Sequence, residues 1–140
     1  MDVSIIIVNY NTKTLTAQCI NSIYEKTHDV AFEVILVDNA SIDGSKEYFL
    51  SDSRVRYIYS EENLGFGRAN NLGLSIALGQ NILFLNPDTV LINNAIKTMV
   101  DYINNHPSVG ACCGNLYDED MQPTLSFKRI FPGVLDELNN

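Results

Sequence analysis

Ile82-Leu83-Phe84-Leu85, followed at once by Asn86-Pro87-Asp88-Thr89, decides the fold. A short, wholly apolar run reads as a strand buried on both faces. A carboxylate just past its end then sits at the carboxyl edge of an α/β sheet. The pattern also occurs earlier, where Val34-Ile35-Leu36-Val37 runs into Asp38-Asn39-Ala40-Ser41. Ligands of open parallel sheets bind outside the carboxyl ends of the strands. Two acidic residues delivered there point to a site for something cationic or hydroxyl-rich, such as a metal ion or a sugar. Either motif alone reads equally as a turn former or helix cap; the pair weighs against that.

Outward from these motifs, strand and helix signals alternate. Val3 to Val8 is continuous and rich in β-branched residues, a strand buried on both faces. Asn9-Tyr10-Asn11-Thr12 breaks it, and Thr12 or Thr14 is placed to cap a helix that turns Leu15, Cys19, Ile20 and Ile23 inward. Phe32 to Val37 is the second strand, and a turn at Ser41 to Ser45 leads into a short helix ending near Leu50. Val55 to Tyr59 is the third strand. A polar, glycine-bearing loop from Glu61 then enters a helix with Ala69, Leu72, Ile76 and Ala77 on its apolar face, ended by Gly79. Past the fourth strand, Ile92, Ala95, Ile96, Met99, Val100 and Ile103 keep helical spacing until His106-Pro107. Val109 to Cys113 reads as a fifth strand, and Gly114 to Asn140 has no long periodic element. The alternation implies an α/β fold: a mostly parallel sheet of strand order 3-2-1-4, helices on both faces and right-handed crossovers. Tyr10, Asp38 and Asp88 then converge at the switch point.

At 140 residues the chain has the length of one domain with a real core. A net charge of −8 argues against a nucleic-acid partner and against adsorption to anionic membranes. An anionic small molecule bound with a divalent cation stays compatible, because the metal brings the charge. Cys19, Cys112 and Cys113 are odd in number and lack a metal-like spacing, which points to reduced thiols in a cytoplasmic compartment. With a first strand starting near Val3 there is no room for a signal peptide. No apolar run approaches the ~20 residues of a transmembrane segment.

A dinucleotide-binding domain needs G-x-G-x-x-G in its first strand–helix turn, and that turn here holds no glycine. Gly65-Phe66-Gly67 follows the third strand instead, with Asn70 where the third glycine belongs. A P-loop and the acidic cluster of a phosphoacceptor domain are also absent. The chain resembles the nucleotide-sugar-binding part of an inverting glycosyltransferase of family 2 with the GT-A fold. The resemblance rests on Val3 to Asn11, on Val37-Asp38-Asn39-Ala40-Ser41 with Asp43-Gly44-Ser45, on Glu62 to Asn71, and on Leu85 to Thr89. The last two motifs look most like bacterial rhamnosyltransferase-type members.

That resemblance implies roles. Asn9, Tyr10 and Asn11 would touch the nucleoside. Asp38, with Asn39, would accept hydrogen bonds from base or ribose, a task suited to an acceptor-only carboxylate. Gly65, Arg68 and Asn86 complete the expected donor-binding set, with Arg68 near a helix start, where an anion would relieve its conflict with the helix dipole. Asp88 stands at the last position of the family's D-x-D motif and would hold Mg²⁺ or Mn²⁺ against the diphosphate; Asn86 departs from the pattern at the first. The implied donor is a UDP- or dTDP-sugar and the acceptor a saccharide or lipid-linked hydroxyl. The implied setting is bacterial polysaccharide biosynthesis in the cytoplasm, compatible with peripheral attachment to the inner membrane face.

The expected division is a nucleotide-sugar-binding core over residues 1–115 and an irregular extension over 116–140, leading into a missing acceptor-binding half. The family's carboxylate general base lies well downstream of D-x-D, so it is expected after Asn140. Asp118, Glu119 and Asp120 follow the fifth strand too closely and read as a solvated turn. On this reading the chain is the donor-binding part of the enzyme, as a truncated form or a partial gene product. A non-catalytic nucleotide-sugar-binding or assembly domain is the alternative, and a nucleotidyltransferase a weaker third reading.

Overall fold

The computed structural model describes residues 1–118 and 120–124. The elements run β1 (Val3–Asn9), α1 (Lys13–Lys26), β2 (Phe32–Asn39), α2 (Ser45–Leu50), β3 (Val55–Ser60), α3 (Phe66–Leu74), β4 (Asn81–Leu85) and α4 (Ala95–Asn105), followed by β5 (Leu116–Tyr117) and β6 (Pro123–Thr124). Strands β1 to β4 form one parallel sheet of order β3-β2-β1-β4, as the alternation predicts. Asn9 pairs with Asp38 and Ile7 with Leu85, so β1, β2 and β4 all end at one edge.

Side chains of a strand alternate between the two faces of its sheet. On one face Ile5, Ile7, Val34 and Leu36 pack with Cys19, Ile20 and Ile23 of α1, Phe49 of α2, and Ile96 and Val100 of α4. On the other, Ile6, Val8, Ile35 and Val37 pack with Ala69 and Leu72 of α3 and with Ile76 and Ala77 beyond it. Each fully buried Val, Leu, Ile or Phe side chain among these contributes about 1.5–3 kcal/mol. Gly73 allows α3 this approach: a Cβ there would come within 2.6 Å of the Ile6 Cγ2.

Several local expectations differ from the structure. In α1, Thr16 is buried and Leu15 exposed, because the Thr16 hydroxyl is drawn onto the Asn9 amide oxygen. Thr12 holds the N-cap position without a side-chain cap bond. The first amides of α1 are met from outside it instead: Thr12 N–H donates to Asn9 Oδ1 and Lys13 N–H to Asp43 Oδ2. Ahead of α4, Leu91 is buried and Ile92 exposed. Helix α3 ends at Leu74, so Gly79 is not its cap. Gly79 is where the chain runs against β1; a Cβ there would lie 2.3 Å from the Ser4 backbone nitrogen. Residues 109–113 carry no strand, since Val109 is the only β-branched residue of that stretch and Gly110 and Ala111 are poor strand formers.

The amino edge of the sheet holds a buried polar cluster. The Glu33 carboxylate accepts hydrogen bonds from Ser4 Oγ at 2.7 Å, Leu78 N–H at 2.8 Å and Arg56 Nη1 at 2.6 Å. Ser4 Oγ in turn accepts from Gly79 N–H, so the cluster ties the α3–β4 connection to β1 and β2. Burial pushes the Glu33 carboxyl up, but the bonds from Ser4, Arg56 and Leu78 outweigh it and hold it below its ordinary range.

The chain divides into two units, Met1–Gly110 and a second from Ala111 onward. Within the second, β5 and β6 pair antiparallel. Asp118 Oδ1 accepts the N–H groups of Asp120 and Gln122, which makes Asp118 a turn former; Glu119 lies outside the described residues. Among the described residues no helix is long and apolar enough to cross a membrane.

Candidate functional site

Loops leaving a parallel sheet on one edge carry polar residues that either bond one another or face outward. Here the two sets separate clearly. Asn9, fully buried, donates from Nδ2 to Ser41 Oγ at 3.0 Å, while its Oδ1 accepts from Thr12 N–H, Thr12 Oγ1 and Thr16 Oγ1. Asn11, in the left-handed region at φ +56°, accepts Ile42 N–H on Oδ1 and gives its own N–H to Ser41 Oγ. The β1–α1 and β2–α2 loops are thus laced together. Asp43 adds a further tie through Lys13 N–H. Burial works against its charge, but bonds from Ser45 and Lys13 hold its carboxyl below the usual range.

Asp38 is 0% exposed. Its Oδ1 accepts Ser41 N–H at 2.9 Å and its Oδ2 the Tyr57 hydroxyl at 2.8 Å. The Tyr57 phenol is pushed well up, by burial first and by the bond to Asp38 second. Asn39 reaches the next loop, donating to Asn63 Oδ1 and accepting Leu64 N–H. Asn63 Oδ1 also accepts Gly65 N–H. The glycine before α3, at φ +75°, adopts the backbone that L side chains avoid.

These ties border a cleft of about 370 Å³ lined by Val8, Tyr10, Thr12, Asn39, Asn63, Gly65, Phe66, Asn86 and Pro87. Of the residues named from sequence, it brings together Tyr10, Asn39, Gly65 and Asn86. Asn9 and Asp38 lie buried beneath the edge, and Asn11, Arg68 and Asp88 are exposed without lining it. Sequence reading passed over Asn63 and Phe66. The signal for Phe66 was there: an aromatic residue between two glycines at a helix start.

Asn86-Pro87-Asp88-Thr89 is a β-turn closed by Thr89 N–H on the Asn86 carbonyl at 3.1 Å, with Pro87 at the position whose φ its ring presets. Cys19 Sγ donates to the same carbonyl at 3.7 Å. Burial, then the nearby Asp88 charge, push that thiol up to about 12, so it stays protonated and serves as a donor. The turn leaves the Asp88 carboxylate exposed, with no hydrogen-bond or ion partner among the described residues. Arg68 folds back, its Nε donating to the Leu64 carbonyl at 2.8 Å, and its two terminal nitrogens have no hydrogen-bond or ion partner among the described residues.

A carboxylate and an amide oxygen two residues apart are hard donors that suit Mg²⁺ or Mn²⁺. Alone they are too few and need phosphate oxygens or water to complete the shell. No cluster of three or more metal-ligating side chains exists among the described residues. The donor set therefore fits an ion that arrives with its phosphates.

A profile described as Glycosyl transferase family 2 matches residues 4–135. The chain belongs to glycosyltransferase family 2. Among curated family relatives, glycosyltransferase GlyG of Streptococcus pneumoniae is 30% identical over 122 residues, covering 84% of this chain and 40% of GlyG. Glycosyltransferase GlyA of the same organism is 28% identical over 119 residues, covering 82% of this chain and 17% of GlyA. The chain thus spans less than half the length of either relative. Among solved structures, residues 1–349 of S. aureus TarS in complex with UDP-GlcNAc superpose with a TM-score of 0.65 at 28% identity, over 76% of this chain and 32% of that one. Together with the observed strand order, this makes the fold of the family 2 chain GT-A, a Rossmann-like parallel sheet.

Proposed function

We propose that this chain binds the nucleoside-diphosphate sugar donor of a family 2 glycosyltransferase, and that the whole protein transfers the sugar with inversion to a hydroxyl of a saccharide or lipid-linked acceptor. The observation that carries the reading is the cleft at the carboxyl edge, with the Asn86–Thr89 turn beside it. The likeness to TarS, whose structures hold UDP and UDP-GlcNAc, supports a nucleotide-sugar donor. The rhamnosyltransferase-like wording of Glu62 to Asn71 and Leu85 to Thr89 supports a dTDP-linked deoxysugar beside UDP-sugars. Residues 1–115 are the proposed donor-binding core, and the setting is cytoplasmic polysaccharide assembly.

Each role follows from what a residue presents. Tyr10 offers an exposed ring to the nucleoside, and Asn63 and Asn86 offer amide groups. Asn9, Asn11, Asp38 and Asn39 hold the loops that place these groups, with Asp38 proposed to meet the nucleoside from beneath. The unpartnered terminal nitrogens of the exposed Arg68 are proposed to attract the diphosphate, and a guanidinium suits phosphate geometry. Asp88 and Asn86 would hold the divalent ion. When bound, it neutralises charge building on the departing diphosphate.

Calorimetric titration of the chain with UDP, dTDP and GDP tests this, with and without Mn²⁺. Binding strengthened by the metal is expected. Asp88→Ala should remove the metal-dependent gain and keep the metal-free affinity. Metal dependence that survives the substitution would overturn the metal assignment, and failure of all three nucleotides to bind would overturn the donor reading.

A further inference from the structure

The buried face of α1 carries a stripe of small hydrogen-bonding side chains, Thr16, Cys19 and Ser22. A spacing of three residues stacks them along one side of the helix. Each bonds a group outside α1. Thr16 Oγ1 donates to Asn9 Oδ1 at the end of β1. Cys19 Sγ donates to the Asn86 carbonyl, just past β4. Ser22 Oγ accepts the buried Leu91 N–H at 2.9 Å, and gives its own proton to the Cys19 carbonyl at 2.7 Å. That last bond fixes the hydroxyl, so its free lone pair points at Leu91. Small polar side chains add less to a core than the Leu or Ile that a helix face usually buries. What the stripe does instead is fasten other segments to α1.

The segment it fastens is the one that bears Asp88. The last ladder partner of β4 is Leu85, opposite Ile7. From Asn86 to Leu91 the chain has left the sheet, yet both ends of this stretch are tied to α1, Asn86 by Cys19 and Leu91 by Ser22. Farther on, Asn94 bonds the His28 N–H and carbonyl just beyond the end of α1. Between the two ties, Thr89 N–H closes the turn on the Asn86 carbonyl. Asp88 stands on that arch with its side chain exposed.

We infer that Cys19 and Ser22 are positioning residues, which hold the Asp88 turn from beneath in the place where it receives a divalent ion. This rests on the donor reading above and names what supports its metal end. A carboxylate on a loose turn has to be ordered when the ion binds, and affinity is lost to that ordering. The loss matters most where the chain offers few ligands, as Asp88 and Asn86 do. Groups that fix a ligand's backbone therefore act on metal affinity without touching the metal. Thr16 extends the same brace to Asn9, so one rigid helix spans from the β1–α1 loop to the Asp88 turn.

Titration with UDP, in the presence and absence of Mn²⁺, reads the affinity gained from the metal. Ser22→Ala leaves the buried Leu91 N–H without its acceptor. The metal gain should fall about 3- to 10-fold, with metal-free UDP affinity close to wild type. Cys19→Ala should act in the same direction and more weakly, since a thiol is a weak donor. Ser22→Thr keeps the hydroxyl and should keep the gain. Hydrogen exchange of the ligand-free chain supplies a second readout: Ser22→Ala should speed the amides of Thr89 and Leu91 and leave those of Ile5, Ile6 and Ile7 as in wild type. If both alanine variants keep the full metal gain, whatever their melting temperatures, the stripe is packing alone and the positioning role is overturned. Wild-type chain that binds UDP with no gain from Mn²⁺ refutes the metal reading itself, and the positioning role falls with it.

Discussion

Replacing Glu33 by Gln isolates one ionic contact at the sheet edge remote from the cleft. Ser4 Oγ and Leu78 N–H both reach the same carboxylate oxygen, Oε1. A glutamine can keep that oxygen and those two bonds. Its amide NH₂ would then face Arg56 Nη1, donor against donor, where the 2.6 Å ion pair now stands. A hydrogen bond to a charged group contributes about 1.5–3 kcal/mol, but the Arg56 side chain is 43% exposed, so solvent screening pulls the value toward the ~1 kcal/mol of surface pairs. The expected loss is about 1–2 kcal/mol for Glu33→Gln. For Glu33→Ala, which also takes the acceptor from the buried Ser4 hydroxyl while Leu78 N–H keeps its second acceptor, Ser4 Oγ, it is about 2–4 kcal/mol. The pH dependence has a definite sign. The folded carboxyl lies below its unfolded value of about 4.3. The stabilisation is therefore complete above that value and is lost as pH falls through the folded one. Urea melts followed by circular dichroism at pH 7 and pH 3 should show the gap between wild type and Glu33→Gln narrowing at the lower pH. A gap that stays constant, or a Glu33→Gln midpoint equal to wild type at pH 7, would refute the assignment. UDP binding at pH 7 should be unaffected by Glu33→Gln.

Gly79→Ala should cost about 2–3 kcal/mol, because its Cβ would press on backbone atoms of Val3 and Ser4 that have nowhere to move; a urea midpoint at the wild-type value would refute this close approach. Asn9→Ala removes four side-chain hydrogen bonds, at about 1 kcal/mol each, and should lower stability by about 3–4 kcal/mol in the same assay. An unchanged midpoint would show that Asn9 is not the brace between the first two loops.

The order of the four strands was legible because apolar runs ending in polar turns recur at βα spacing, and right-handed crossovers leave few arrangements. Burial of Ile5, Ile6 and Ile7 followed from the same pattern. What misled was local. Val109 to Cys113 matched a strand by apolarity alone, and Leu15 matched a buried helical position until the Asn9–Thr16 bond set the helix rotation. At the candidate site, sequence pointed to the loops that border the cleft but could not tell which polar side chains line it and which bond other parts of the chain. Asn9, Asn11 and Asn39 each bond a neighbouring loop across a long sequence separation, while Asp38 is held by Ser41 N–H of its own loop and by the Tyr57 hydroxyl of β3. Asn63 was passed over because only the folded loop shows it in the cleft, whereas Phe66 was marked in the sequence by its place between two glycines.

The hydrogen bonds that join these loops also govern how the cleft exchanges with solvent. Amides of connecting segments ordinarily exchange fast, since water reaches them without unfolding. Here Asn11, Lys13, Ile42 and Leu64 each give their N–H to a side chain of a different loop or strand end: Ser41, Asp43, Asn11 and Asn39. Opening any one of them strains the others, so the rim opens as a unit. In hydrogen exchange these four amides should carry protection nearer that of β1 than that of an isolated turn. A ligand entering such a rim finds it already ordered, and little of its binding free energy is spent on stilling the loops.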